Sequence, residues 1–357
     1  MTESVTNRKG AIMALTASLL FGLSAPFAKL LLRESDPLML AALLYLGGGV
    51  GLGVVGLIPD RRQIAGAAPR EAALRGADFV LLLAIVVSGG VAAPVLMLLG
   101  LARVSAVAGS LLLNLEAPLT MLLAVSVFGE HLGGRAAAGA AFATLGAGVL
   151  SYAPGGVQAD CRGVVAVVLA CVGWAVDNNL TQRLSLRDPV AIARTKGLGA
   201  GMVTLTLALL TGSGFPPPAG ALGAIVLGFV SYGMSVALAV RAMRILGAAR
   251  HAAFFATAPF IGAVAAVPLL GEPFGLREIA TAALMALGVV LILTEVHAHF
   301  HVHDVLEHEH AHVHDEHHRH EHSDVDGGEE RHAHVHVHPP LSHAHPHVPD
   351  LHHRHRH

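Results

Sequence analysis

Glu116 stands in the most demanding setting of any ionisable residue in this 357-residue chain. It lies twelve residues from both Val104 and Phe128, near the middle of an apolar run. A charge at the centre of a membrane helix costs about 2.5–3.5 kcal/mol on insertion scales, so a carboxylate kept there points to function. It can accept a proton, coordinate a cation or bind an ammonium group; the structural alternative is a pair locked to an internal Arg or Lys. Ser110 and Asn114 share the same run at helical spacing. Asp177, Asn178 and Asn179 form a second polar patch, six residues or fewer from Arg183, which suits either a cavity lining or the headgroup zone. Trp174 can stack on a solute or pack, packing being favoured. Arg250 suits an anionic solute or snorkels to the surface with its neighbour His251, and Arg194 and Lys196 read as snorkelling side chains. Pro26, Pro94, Pro118, Pro259 and Pro268 lie inside apolar runs, where each removes a backbone donor and frees a carbonyl. They shape packing as kinks or open the backbone to a ligand.

A second chemistry sits at the other end of the chain. Of 25 histidines, 23 fall at or after His297, many alternating with other residues: His297, His299, His301, His303; His308, His310, His312, His314; His332, His334, His336, His338; and His343, His345, His347. On an extended chain alternate residues share a face, and paired imidazoles there suit zinc, nickel, cobalt or copper(II). Pro339, Pro340, Pro346 and Pro349 discourage a fold, so the tail, residues 297–357, is expected to be disordered. With 4 Arg and 11 acidic residues it carries −7 before any histidine is protonated, and +16 with all of them charged. Three roles follow for it: a buffer or sensor for a metal exporter, a metal store independent of transport, or a pH-responsive charge drawn to anionic lipid.

Residues 1–296 must position the first set of groups, and they are oily. Hydrophobic residues make up 54% of the whole chain although only 15 of the 61 tail residues are among them, which excludes a soluble globular enzyme. Ten apolar stretches of helix length run over 11–31, 38–58, 78–100, 104–128, 134–153, 162–182, 190–211, 220–241, 247–270 and 275–294. Placing residues 1–10 in the cytoplasm divides the 19 Lys and Arg of the body 14 inside to 5 outside. Both termini are then cytoplasmic, in a multi-pass protein of a bacterial inner membrane. Cys161 and Cys171 match neither a disulfide framework nor a zinc pair.

The body matches itself at an offset of 141: Arg103 falls on Arg244, Ala106 on Gly247, Gly109 and Ser110 on Arg250 and His251, and Ala117-Pro118 on Ala258-Pro259. One residue of slip then places Gly129-Glu130 on Gly271-Glu272, Gly133 on Gly275 and Gly146 on Gly288, and Asp36-Pro37 answers Asp188-Pro189. Two units result, 11–153 and 162–294, each of five spans. An odd number of spans turns the second unit over in the membrane, the plan of many secondary transporters, with the site near the midplane between repeats. Glu130 and Glu272 mark a turn or a gate contact. Ala-Pro, about eleven residues to Gly-Glu, then Gly and a Gly-rich apolar helix, twice over, resembles the EamA-type transporters of the drug/metabolite transporter superfamily. The resemblance covers residues 11–294 and implies an all-α membrane protein of ten transmembrane helices in two inverted five-helix repeats, without fixing the substrate.

The resulting expectation is a secondary transporter that exports a small polar metabolite by alternating access. A divalent-metal transporter whose tail collects its cargo, and a membrane-anchored metal-storage protein, are the alternatives. The partners implied are the lipid bilayer, a small-molecule substrate and metal ions at the tail, with no nucleic acid; monomer and homodimer both fit. No cofactor is required, no GxxxxGK[ST] loop supports an ATP-driven pump, and nothing supports enzyme action.

Overall fold

Some 20 apolar residues in lipid must satisfy every backbone N–H and C=O among themselves, and an α-helix does so. The computed structural model describes residues 2–57, 74–128, 133–151, 160–184, 187–246, 248–294, 297–303, 306–312, 332–338 and 341–347. In chain order its helices are α1 (Arg8–Leu31), α2 (Pro37–Gly56), α3 (Phe79–Leu101), α4 (Ala106–Val127), α5 (Gly134–Ser151), α6 (Cys161–Thr181), α7 (Pro189–Leu210), α8 (Pro218–Ala242), α9 (His251–Leu270) and α10 (Leu276–Leu293). Among the described residues eight of these, all but α5 and α7, are long and apolar enough to cross a membrane. Their outer faces are bare of polar cover: Val80 is 78% exposed, Leu222 63% and Val264 62%. Apolar surface on that scale belongs in lipid, and the chain is a multi-pass membrane protein. The first ten residues do not stand apart, because helical geometry runs back to Thr2 through a segment that has no Pro and no Gly before Gly10.

Several helices are interrupted, and the interruptions follow the prolines. A break at Leu23 precedes Ser24-Ala25-Pro26 in α1, and a π-helical turn, Val86–Ala92, precedes Ala93-Pro94 in α3. A 3-10 turn, Leu113–Leu115, precedes Glu116-Ala117-Pro118 in α4, and Ala256-Thr257 interrupts α9 before Ala258-Pro259. Each proline stands within the first three residues of the segment that resumes, where its missing N–H has no partner to lose. A second π-helical turn, Phe229–Met234, lies in α8. It is the repeat counterpart of the first, since Val87-Ser88-Gly89-Gly90 aligns with Val230-Ser231-Tyr232-Gly233.

The most extensive packings are α2 on α7, α5 on α10, α1 on α8 and α3 on α6. Exchanging each helix for the one five places away maps this set onto itself, so the two halves meet in a twofold-like manner. Small residues make the contacts, as lipid supplies no hydrophobic drive and close backbone approach must substitute. A Cβ placed on Gly139 of α5 would lie 2.6 Å from the Gly288 carbonyl oxygen of α10, and one on Gly288 the same distance from that of Gly139. Gly146 meets the Thr281 carbonyl at 3.2 Å. Gly139 aligns with Thr281 and Gly146 with Gly288, which makes the second contact the repeat image of the first.

Within the tail the structure describes four short segments. All four are strands, β1 (His297–His303), β2 (Leu306–His312), β3 (His332–His338) and β4 (Leu341–His347). Strand β1 pairs antiparallel with β4, and β2 with β3. Alternation of His with Ala, Val and Phe has the period of a pleated strand. Pro339 and Pro340 lie outside the described residues, and Pro346 sits in a two-stranded pair where every strand is an edge. His314 lies outside the described residues.

Two outcomes follow. A Cβ on Gly197 would lie 2.9 Å from Gly49 Cα, while one on Gly148 meets nothing within 4 Å. Thermal unfolding in detergent should therefore show Gly197→Ala destabilised by about 1–3 kcal/mol through overpacking and Gly148→Ala stabilised by up to about 1 kcal/mol; equal midpoints would contradict the close α2–α7 approach. Arg187 Nε donates to Asp78 Oδ2 at 2.8 Å, tying the start of α7 to the head of α3. The Arg75 backbone N–H and then the Arg187 guanidinium hold the Asp78 carboxyl below the usual carboxylate range. A carboxyl depressed in the folded chain stabilises it above the unfolded pKa of about 3.9 and loses that contribution as pH falls through the folded value. Arg187→Ala should cost about 1 kcal/mol at neutral pH, and the gap to the parent should close as pH falls through the depressed folded value of Asp78.

Candidate functional site

The irregular stretch of α4 carries the polar groups. Pro118 has no N–H to give the Asn114 carbonyl, and the 3-10 turn before Glu116 shifts the helix out of register there. Asn114 is buried and donates from Nδ2 to the Leu111 carbonyl at 3.0 Å. Glu116 accepts at Oε1 from Asn178 Nδ2 at 2.8 Å, and the same amide lies 3.4 Å from Thr120 Oγ1. Asn179 Nδ2 donates to the Thr120 carbonyl at 3.0 Å and to the Ala175 carbonyl at 2.8 Å. Two neighbouring amides of α6 thus bind α4 at the carboxylate and one turn beyond it. The partner of Glu116 is an amide, and no Arg or Lys is hydrogen-bonded to it among the described residues.

These groups line a cavity of about 730 Å³, within the range of small-molecule sites. Trp174, Asn178 and Asn179 enter it from α6, Phe21 from α1, His251, Phe255 and Pro259 from α9, and Val289 and Ile292 from α10. Its lining reaches Val125 and Leu293, in the last turns of α4 and α10, and Gly133, just before α5. The wall is largely apolar and includes four rings, those of Phe21, Trp174, His251 and Phe255: Phe21 and Phe255 have centroids 5.2 Å apart, and the His251 ring stacks on Phe255 at 5.7 Å. His251 Nε2 is buried with no hydrogen-bond partner. Trp174 Nε1 donates to the Gly89 carbonyl at 3.2 Å, and Tyr45 Oη donates to the same oxygen at 3.0 Å. The π-helical turn of α3 supplies that doubly used acceptor, a local role such turns often have at sites.

The remaining candidates are placed elsewhere. Asp177 is buried on the face of α6 turned from Asn178: it forms an ion pair with Lys196 of α7 and accepts from Thr181 Oγ1 at 3.2 Å. Lys196 is therefore held inside by a counter-charge rather than snorkelling outward. Ser110 is buried against Gly262 of α9, with its hydroxyl unpartnered, and is not part of the cavity wall. The Arg250 side chain lies outside the described residues, as does Glu130. Pro26, Pro94, Pro118 and Pro259 all stand at helix resumptions, as above. Phe21, Thr120 and Phe255 were not among the residues singled out by sequence. Thr120 and Phe255 follow Glu116 and His251 by four residues, a spacing that puts each pair on one helix face and would have revealed them.

At the start of α4 the packing is tight. Gly271 closes α9 with φ 68°, a left-handed conformation that glycine adopts freely, and this turns Glu272 onto the start of α4. Its Oε1 accepts from Ala106 N at 2.7 Å and its Oε2 from Val107 N at 2.8 Å. A carboxylate at a helix N-terminus meets both unpaired N–H groups and the positive end of the dipole. Lys29 Nζ binds the carbonyls of Leu101 and, at 2.7 Å, Val104 beside it. Among the described residues no group of three His, Cys, Asp or Glu is gathered to hold a metal ion.

This architecture has relatives. A solved crystal structure aligns over 79% of this chain and 95% of its own with a TM-score of 0.56 at 19% identity, a likeness of fold. An uncharacterized transporter of Methanothermobacter thermautotrophicus is 31% identical over 294 residues, 79% of this chain and 85% of that protein. The EamA-like transporter family matches twice, over residues 8–152 and 161–294. Two consecutive matches spanning nearly the whole helical body, together with that relative, establish that this chain belongs to the EamA-like transporter family.

Proposed function

We propose that this membrane transporter works as a secondary carrier that exports a small metabolite by alternating access, with Glu116 as the group its cargo must meet. The observation that carries the reading is the cavity itself: one carboxylate with an amide partner, at a helix break between the halves, with a lining that extends to the last turns of α4 and α10. Ten spans in two inverted five-helix repeats fit the exchange symmetry of the packing and the odd span count per half. With both termini cytoplasmic, the Val125 and Leu293 end of the cavity faces the cytoplasm. The opposite end is closed by Glu272 on the start of α4 and by Lys29 on the end of α3. Export then requires those two contacts to part while the Val125 end closes. The carrier needs no ATP-binding element and performs no chemistry on its cargo.

A metal-linked role for the tail rests on one further observation, the strand register. His299 faces His345 and His301 faces His343 across β1 and β4; His308 faces His336 and His310 faces His334 across β2 and β3. Facing residues of antiparallel strands stand about 4.5–5.5 Å apart at Cα, a spacing over which two imidazoles can share one zinc, nickel, cobalt or copper(II) ion. An isolated two-stranded ribbon is marginal in water, so a bound ion would add to its stability. In this reading the tail binds metal beside the carrier and does not decide what is carried.

In proteoliposomes, a screen of small amines, amino acids and neutral metabolites should find a solute whose flux falls at least about tenfold in Glu116→Gln, the loss expected when a charge-assisted contact is removed. Flux unchanged by that substitution would remove Glu116 from the transport path. Deleting residues 297–357 should leave the flux intact and abolish zinc binding measured by calorimetry. In the full chain that zinc affinity should weaken as pH falls through about 6.5, where imidazole protonates; a truncation that stops solute flux would tie the tail to transport instead.

A further inference from the structure

We infer that the cavity selects organic cations, protonated amines that carry an apolar or aromatic body, an assignment of substrate class that rests on the transport reading above. Three features of the wall converge on this chemistry. Glu116 has one oxygen engaged by Asn178 and no protein donor on Oε2 among the described residues, so a hydrogen-bonding cation can complete it. Among the described lining residues Glu116 is the sole acidic residue and there is no Lys or Arg, while the neighbouring Asp177 is paired with Lys196 on the other side of α6. An anionic cargo would find no counter-charge on these residues and a carboxylate to repel it. The third feature is the ring cluster of Phe21, Trp174, His251 and Phe255, whose π-faces attract a cation and cover an apolar body.

The geometry disfavours a bare metal ion in the same place. A hard cation takes six or more oxygen ligands at short range, and this wall offers one carboxylate, one hydroxyl and amides spread around about 730 Å³ of largely apolar space. That volume suits a drug-sized organic molecule. The ammonium head belongs at Glu116 and Asn178, at the level of the helix break, with the body toward the rings. An N–H of the ammonium donates to Oε2; no bond is made or broken.

Trp174 is the chain's single tryptophan and lines the cavity, so its emission reports occupancy directly. Three ligands of nearly equal shape separate the charge effect from the apolar one: phenethylammonium, phenethyl alcohol and hydrocinnamate. In the purified full-length protein, excited at the red edge of the indole band, phenethylammonium should shift Trp174 emission saturably. Its affinity should exceed that of the alcohol by at least about tenfold, with the carboxylate weaker still. Glu116→Gln should erase the preference for ammonium over alcohol, and Glu116→Asp should keep part of it. Equal or tighter binding of hydrocinnamate, no saturable response to phenethylammonium, or a preference unchanged in Glu116→Gln would overturn the assignment. The wild-type comparison alone decides it should the variants fail to fold. Glu116-dependent flux of an anionic or neutral solute would reject the substrate class and leave the transport reading standing. Glu116-dependent amine binding without flux in proteoliposomes would do the reverse.

Discussion

A carboxylate in the middle of a lipid-embedded body has to be paired, protonated or hydrated, because leaving it bare is too costly. Glu116 is given a neutral amide, Asn178, and a cavity. The contrast with Asp177, one residue before that amide, is instructive. Asp177 faces the other side of α6 and is neutralised by Lys196, so one acid holds α6 to α7 while the other remains available to a ligand. The helix break in α4 follows from the same requirement, since Pro118 and the 3-10 turn before Glu116 open the backbone where the carboxylate needs room. Each of these features would be a defect in a structural helix. Together they are the basis of the proposed site.

The halves of the molecule share a frame and differ in what they hang on it. Gly139 against Gly288 and Gly146 against Thr281 are images of one contact, and the π-helical turns of α3 and α8 lie at matching positions. Yet Gly89, whose carbonyl receives both Trp174 and Tyr45, has Tyr232 as its counterpart, which stacks on Tyr45 at 5.5 Å instead. Likewise Ser110, packed against Gly262, corresponds to His251, which lines the cavity. The repeat supplies the packing, and the departures from it supply a one-sided, chemically distinct cavity. An apolar frame of this kind can be doubled because close glycine contacts depend on size alone, whereas a polar site depends on identity.

Much of the frame was legible in the sequence because lipid imposes a simple rule on backbone groups. The start of α2 at Pro37 and the end of α10 at Leu293 fall within a residue of the hydropathy limits, and the Ala-Pro repeats mark the breaks in α4 and α9. The polarity of Glu116, Asn178 and Trp174 was also visible. Which face each residue takes was less so: Asp177 and Asn178 are adjacent in sequence and opposite in role, and only the neighbours α7 and α4 decide between them. Phe21 could not be read from any local pattern, since it reaches the cavity through α1, 95 residues before Glu116. In the tail the alternation of His with other residues has the period of the described strands.

The central claim is that the space around Glu116 is a water-accessible path within the membrane body. Thiol accessibility tests it most directly. With the exposed Cys161 replaced by Ser and the buried Cys171 left in place, a cysteine substituted for Thr120, which lines the cavity, is compared with one substituted for Thr204, buried in α7. The account predicts that Thr120→Cys reacts with a hydrophilic thiol reagent at least about tenfold faster than Thr204→Cys, and that a transported solute protects it. Equal unreactivity at the two positions, or reaction at Thr120→Cys that no solute affects, would contradict it.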